Sequence, residues 1–402
     1  MLYFISILLL FGLSSTAYAY IDPAGISSFL SLIVSSVIGF FYVFRFKVQT
    51  YLEKINFIFK DLKTLSNYLS QKKEIVFFVE NKSYVPYLKS VIDKISAEST
   101  CVDIITENDV NIFDNQNLIR VYKFNLNFTK ILAFNLVRCN LLVTTSPDLG
   151  TSEIKKNKNC KCYYYIFHSL VSTPIIYKDK SFKNFDLIAC ATSYQKKELE
   201  KEETTFQNIS KKTFLEAGYP FFEVMNLDAH KSFEKNSILI APSWNAKIEN
   251  YYSKFFSEIV KKFLDNDIKV IFRPHPQYKK KNLEDLINFE KKFISNKNFI
   301  FDHSSNFDIL SKVEFLLTDW SGISFEFSYI NKRPVIFLEV PRKVHNEKNF
   351  LNNDLKDGVV EFSKRNEIGV VCDDTLDVKG VINELRNKEG KYLNSIENFF
   401  KD

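Results

Sequence analysis

Apolar residues run almost unbroken from Leu2 to Ala19 and again from about Gly25 to Phe44, and beyond that the pattern changes. The first run ends Ala17-Tyr18-Ala19, a small-x-small pattern suited to signal peptidase, although no Lys or Arg precedes it. Residues 1–19 therefore read as a signal peptide or a first hydrophobic segment. Residues 24–44 are uncharged and reach the roughly 20 residues that a helix needs to cross a bilayer. Arg45 and Lys47 follow at once, then Lys54, Lys60 and Lys63. Positive residues stay on the cytoplasmic side. The short loop at Asp22 is thus expected outside and everything after Phe44 inside. That predicts a protein of the cytoplasmic membrane, single-pass after signal cleavage or hairpin-anchored without it. One long signal sequence on a secreted enzyme is the alternative, and the basic flank weighs against it.

From Lys47 to Lys73 the positions Ile55, Phe59, Leu62, Leu65 and Leu69 recur at helical spacing, which predicts a linking amphipathic helix over 45–73. After it, short apolar runs alternate with longer periodic ones. Strands are predicted at Glu74–Val79, Val102–Thr106, Leu141–Thr145, Tyr163–Phe167 and Leu187–Ala191, with helices at Tyr84–Ser96 and Tyr194–Glu203. A second series predicts strands at Ser237–Ala241, Ile268–Phe272, Val313–Leu317, Val335–Leu338 and Gly369–Cys372. Its helices are Tyr251–Leu264, Leu283–Ile294, Ser324–Ile330 and Val378–Asn387. Strand–helix alternation in two series implies an α/β fold with two parallel sheets flanked by helices. The expected domains are 74–225 and 236–390, hinged between Gly218 and Asn236. A C-terminal helix over 391–402 is expected to cross back onto the first domain.

Composition narrows the function only a little. The balance of 46% hydrophobic and 25% charged residues is that of a globular chain. A net charge of +6 suits anionic substrates or an anionic membrane surface. Neither zinc-finger spacing nor an RNA-binding aromatic signature is present, so no nucleic acid partner is expected. Six cysteines lie in no disulfide or zinc pattern, and Cys139, Cys190 and Cys372 sit in or beside apolar strands. All six are expected to be reduced and structural, and neither metal nor cofactor is expected.

Ligands of open parallel sheets bind outside the carboxyl ends of the strands, so functional residues should follow strands directly. Four motifs do: His168-Ser169-Leu170, Ala241-Pro242-Ser243-Trp244, Arg273-Pro274-His275-Pro276 and Thr318-Asp319-Trp320-Ser321-Gly322. A fifth, Lys332-Arg333-Pro334, precedes one. At the fourth, a strand ends, a small-residue turn follows and a helix starts, which exposes backbone N–H groups to an anion. Ser321 is suited to cap that helix and to donate its hydroxyl to phosphate, and Gly322 lets the backbone approach closely. A capped helix with no ligand would leave the same pattern. Arg273 offers a fixed fork for phosphate oxygens, and His275, stiffened between prolines, can donate to a phosphate or a leaving oxygen. His168 suits a general base acting on a hydroxyl nucleophile. His230 and His345 read as surface residues, and His303 is left open.

These motifs resemble the CDP-glycerol glycerophosphotransferase family, the teichoic-acid primases and polymerases. The resemblance rests on "FHSLVSTP", "EAGYP", "LIAPSW", "RPHP", "TDWSGISFEF" and "KRPVIF", in that order between Tyr163 and Leu338. It implies a GT-B architecture of two facing Rossmann-like domains, with the activated donor held mainly by the second. It also implies transfer of glycerol phosphate from CDP-glycerol to a hydroxyl of a lipid-linked or polymeric acceptor in cell-envelope polysaccharide synthesis, releasing CMP. Carried over, His168 is the catalytic base. His275 contacts the donor phosphates beside Arg273, and Ser321 and Gly322 form the diphosphate turn with Asp319. Glu326, and Ser243 of the second motif, are expected at the donor glycerol or nucleotide. Two departures stand out. The family usually has Trp-His-Gly-Thr where this chain has Phe167-His168-Ser169-Leu170, and often Asp-Tyr-Ser-Ser where it has Asp319-Trp320-Ser321-Gly322. The alternatives are a GT-B glycosyltransferase or another CDP-alcohol phosphotransferase, a membrane-tethered nucleotide-binding module without activity, and an epimerase-like enzyme of the same fold.

Overall fold

The computed structural model describes residues 23–399 apart from 115, 179, 206–210, 226–232, 246, 305–306 and 343–358. Segment 1–19, His230 and His345 lie outside the described residues. The first helix, α1 (Pro23–Leu69), is unbroken over 47 residues, so the expected membrane and linking segments are one rod. Met1–Lys60 and Asp61–Asp402 form two compact units. In the first, Leu32, Phe40, Phe41, Tyr42 and Phe44 are all exposed. The helix from Ser31 is long and apolar enough to cross a membrane, a test that a signal sequence near an N-terminus also passes.

The second unit carries two parallel sheets. One contains β1 (Lys73–Phe78), β2 (Val102–Glu107), β3 (Ile119–Phe124), β4 (Cys139–Thr144), β5 (Cys160–Ile166), β6 (Leu187–Cys190) and β7 (Thr213–Glu216), in the order β3-β2-β1-β4-β5-β6-β7. The other contains β8 (Glu234–Ile240), β9 (Lys269–Phe272), β10 (Phe299–Phe301), β11 (Val313–Thr318), β12 (Val335–Leu338) and β13 (Gly369–Cys372), in the order β10-β9-β8-β11-β12-β13. Each order reverses beside its first strand, between β1 and β4 and between β8 and β11. That switch point is where a doubly wound sheet opens a crevice for a ligand.

Central strands such as β11 and β12 are buried at every position, as continuous apolar runs in parallel sheets require. The strands that apolar runs did not reveal are β3, β7 and β10, and all three are sheet edges. β3 alternates buried with half-exposed or exposed residues, β7 is mostly exposed and β10 has three residues. An edge strand has one open side, so its sequence need not be apolar. Gly369 opens β13 because a Cβ there would run into the backbone of Val335 on β12.

The helices that follow α1 are α2 (Val85–Ala97), α3 (Asn127–Asn135), α4 (Thr173–Ile176), α5 (Ser193–Thr205) and α6 (Phe221–Val224). The second half adds α7 (Tyr251–Phe255), α8 (Ser257–Asp265), α9 (Pro276–Lys281), α10 (Leu283–Phe293), α11 (Ile309–Lys312), α12 (Ile323–Asn331), α13 (Val360–Ser363), α14 (Arg365–Ile368), α15 (Val378–Asn387) and α16 (Glu389–Phe399). The single helix expected over Tyr251–Leu264 breaks at Phe256, which turns Tyr251 and Tyr252 fully inward. In α16, Phe399 stacks on Tyr194 of α5 and on Phe325 of α12, and so touches both halves. Asp61 is buried and accepts from the backbone of Asn125 and Leu126, each at 2.9 Å, and from the Thr129 hydroxyl. It caps α3, whose own cap residue, Leu126, has no side-chain acceptor.

Candidate functional site

The loop after β5 carries His168. Its imidazole is ringed by Tyr84, Tyr87 and Tyr177, with ring centroids at 5.1, 6.1 and 6.5 Å, and its Nδ1 lies 3.5 Å from the Tyr165 hydroxyl. Burial pushes its pKa down to about 4, against a backbone hydrogen bond with Thr145 that favours the protonated ring. At neutral pH the imidazole is therefore uncharged and able to accept a proton. The loop itself is pinned from α5. Gln195, fully buried, donates to the carbonyls of Ser169 (2.9 Å) and Val171 (3.1 Å), and Tyr194 donates to that of Leu170.

In the second half, the turns after β8 and β11 are tied together. Thr318 Oγ1 donates to the Ala241 carbonyl at 2.7 Å. Asp319 is buried and accepts from Ser243 N (2.8 Å), Ser243 Oγ (2.9 Å) and Tyr251 Oη (2.6 Å). Asp319 and Ser243, both expected at the donor, are hydrogen-bonded to each other in this structure. Tyr252 extends the frame: its hydroxyl accepts from His275 N at 2.9 Å, donates to the Ser243 carbonyl at 3.4 Å, and its ring stacks on Tyr278 at 3.7 Å. These tyrosines were not singled out from the sequence.

His275 is the cap residue of α9, and its Nδ1 accepts from Gln277 N at 3.1 Å. In the neutral ring this leaves the proton on Nε2, so Nε2 is the donor edge. Arg273 is held by Asp302, with Nε and Nη2 both on Oδ2 at 2.7 and 2.6 Å. Burial pushes Asp302 up, but Ser304 and Arg273 outweigh it and hold the carboxyl below its ordinary range. Asp302 escaped sequence reading because it follows the three-residue edge strand β10.

The turn Ser321–Gly322 meets α12 as expected, except that Gly322, not Ser321, is the cap residue. The Ser321 carbonyl accepts from Ser324 N and Oγ. Its hydroxyl makes no hydrogen bond among the described residues, so it stays available to a ligand. A Cβ on Gly322 would lie 2.7 Å from Ser169 Oγ and 3.1 Å from Val171 Cγ1. The His168 loop and the Ser321–Gly322 turn are therefore in direct contact across the two halves. The Lys332-Arg333-Pro334 motif lies elsewhere. Arg333 donates to the carbonyl of Val313, where β11 begins, at the end of the sheet opposite the turns. Those ends are the length of a six-residue strand apart, about 20 Å, so this motif lies away from the turns. His303 is exposed and pairs with Glu290 at 3.3 Å.

Glu326, expected at the donor glycerol, is 4% exposed, and its Oε1 accepts from Tyr219 Oη at 2.7 Å. It ties α12 to the segment linking the two halves. Burial pushes its pKa up to about 7, against hydrogen bonds from Tyr219 and Tyr87. A second tie joins Ser172 to Glu361, whose Oε1 accepts from Ser172 N at 2.7 Å while Val360 N donates to Ser172 Oγ at 3.1 Å. A carboxyl whose folded pKa exceeds its unfolded one stabilises the fold fully at low pH, and that stability is lost as pH rises through the folded value. For Glu326 the window runs from about 4.5 to about 7 and carries on the order of 3 kcal/mol. Glu326→Gln, neutral at every pH, is therefore expected to lose clearly less stability than the native protein between pH 5 and pH 8. Denaturant melts at the two pH values measure this, and equal losses in both proteins would refute the assignment.

Among the described residues no three of His, Cys, Asp and Glu gather as a metal cage would need. The family model for CDP-glycerol:poly(glycerophosphate) glycerophosphotransferase matches residues 176–358, which hold Arg273, His275, the turn and Glu326 but not His168. No curated protein sequence matches. Among solved structures, the wall teichoic acid polymerase TagF soaked with CDPG is similar at 15% identity and a TM-score of 0.51, covering 88% of this chain and 92% of that one. The S. aureus MnaA–UDP complex is similar at 13% identity and a TM-score of 0.51, covering 81% and 91%. The UDP-GlcNAc 2-epimerase of Neisseria meningitidis bound to UDP-GlcNAc is similar at 12% identity and a TM-score of 0.51, covering 82% and 99%. At these identities the likeness is one of fold, two facing Rossmann-like sheets of GT-B type.

Proposed function

We propose, from the match of residues 176–358 to the CDP-glycerol:poly(glycerophosphate) glycerophosphotransferase family model, that this glycerophosphotransferase-like transferase moves glycerol phosphate from CDP-glycerol to a hydroxyl of a lipid-linked or polymeric acceptor. The polymer is of the cell-envelope, teichoic-acid type. The acceptor oxygen attacks the β-phosphorus, the bond from that phosphorus to the bridging oxygen breaks, and CMP leaves. His168 takes the hydroxyl proton. Arg273 and His275 Nε2, with the Ser321 hydroxyl and the amides at the start of α12, stabilise charge on the diphosphate. Asp319 and Ser243 hold the turn in place. The chain is anchored in the cytoplasmic membrane by α1, with both sheets on the cytoplasmic side, where nucleotide-activated donors are made.

The observation that carries this reading is the contact between the His168 loop and the Ser321–Gly322 turn. It brings the loop that carries His168, whose imidazole is neutral, against the start of α12, which supports a reading of base-assisted attack on a bound phosphorus. The test is a donor panel on the membrane-inserted full chain: CDP-glycerol, CDP-ribitol and UDP-sugars, with acceptor supplied as a membrane extract. CMP release and acceptor labelling are expected from CDP-glycerol. UMP or UDP release, or CMP from CDP-ribitol alone, would replace the donor. Nucleotide binding with no release would make the chain a tethered binding module.

A further inference from the structure

We propose that the Ser169 hydroxyl is a donor-positioning group, delivered from the first half of the molecule onto the phosphate turn of the second. Gly322 has φ −61° and ψ −17°, a conformation open to any residue. Its backbone therefore does not demand glycine. What excludes a side chain is Ser169, whose Oγ lies 2.7 Å from where the Cβ would be. Ser169 Oγ thus fills the side-chain space of the cap position of α12, a position where a hydroxyl ordinarily faces the first amides of a helix. No side chain of the second half caps α12 there.

The placement is built rather than incidental. Ser169 sits in a loop whose three successive carbonyls, of Ser169, Leu170 and Val171, are held by Gln195 and Tyr194. Gln195 is itself fixed, its Oε1 accepting from Ala191 N at 3.1 Å. The Ser169 hydroxyl makes no hydrogen bond among the described residues, and neither does that of Ser321. Two hydroxyls from opposite halves therefore flank the start of α12, one of them a single residue from His168.

The inference rests on the proposed reaction, in which the turn holds the donor diphosphate. Its test uses Ser169→Gly, Ser169→Ala, Gly322→Ser and the double variant S169G/G322S in the full chain. Thermal unfolding, CDP affinity and the kinetics of transfer from CDP-glycerol are the readouts. Loss of one hydrogen bond predicts about tenfold weaker CDP binding and a matching rise in KM for both Ser169 variants, with unfolding temperatures unchanged. Gly322→Ser, forced against Ser169, is expected to lose about a hundredfold in kcat/KM. The double variant is expected to regain at least about tenfold of it by placing the hydroxyl on the turn itself. Ser169 variants that bind and transfer like the native protein would overturn the proposal, as would a double variant no better than Gly322→Ser. Restored unfolding temperature without restored CDP binding would also overturn it, reducing the pair to packing. A native protein that transfers nothing refutes the proposed reaction and this role with it, whereas an active native protein with inert Ser169 variants refutes this inference alone.

Discussion

Replacing His168 by alanine is expected to lower kcat/KM for transfer by about a hundredfold to ten-thousandfold, the span that a positioned general base supplies. The unfolding temperature should change little, because the ring makes edge contacts with Tyr84, Tyr87 and Tyr177 rather than filling a sealed core. The pH profile separates this role from a structural one. A base works unprotonated, and burial pushes the pKa of His168 down to about 4. The acid limb of kcat/KM, which reports the free enzyme, should therefore fall near pH 4 rather than near the ordinary 6.5. With donor bound, the diphosphate charge beside the ring favours imidazolium, so the acid limb of kcat should lie at higher pH than that of kcat/KM. Stability follows the same group: a depressed histidine stabilises the fold above its unfolded pKa, and that contribution is lost as pH falls from about 6.5 to about 4. His168→Gln retaining full transfer, or an unchanged acid limb in that variant, would remove His168 as the base.

The strands that bear the site were legible because a parallel strand buried on both faces must be a continuous apolar run. The filter that followed, looking just past each run, selected His168, Ser243, Arg273, His275 and the turn at Ser321–Gly322 as candidates. Its limits were physical. At three residues β10 is too short a run to stand out, so it went unseen, and with it Asp302, the partner that orients Arg273. Side-chain direction is equally invisible to spacing. Asp319 and Ser243 sit past the right strands, yet they point at one another. Tyr251, Tyr252 and Tyr278 resemble ordinary core residues in the sequence, and only their hydroxyl partners reveal them as the frame of the turns. The contact between Ser169 and Gly322 joins residues 153 positions apart (322 − 169), which neither periodicity nor spacing can report.

Asp319→Ala is expected to produce the other large loss, and the manner of that loss tells what the residue does. Its carboxylate is the acceptor for Ser243 N, Ser243 Oγ and Tyr251 Oη, all buried. Alanine leaves these three donors unpaired, at a cost of roughly 3 kcal/mol or more in stability. The turns after β8 and β11 then lose their register, and a displacement of about 1 Å at a reacting group costs on the order of a hundredfold in rate. A lower unfolding temperature together with a lower kcat is therefore expected. Asp319→Asn sharpens the test. Were the carboxylate in contact with the diphosphate, neutralising it would remove a like-charge repulsion and lower KM for the donor at unchanged stability. As a positioning residue, Asp319 loses one of its acceptor oxygens to an amide that confronts the Ser243 and Tyr251 donors, so Asn should reduce both kcat and stability, less than alanine does. Tyr251→Phe, which deletes a single donor and leaves the carboxylate with Ser243, should fall close to the native protein in donor affinity. A donor KM that falls in Asp319→Asn with the unfolding temperature intact would move Asp319 back to the ligand.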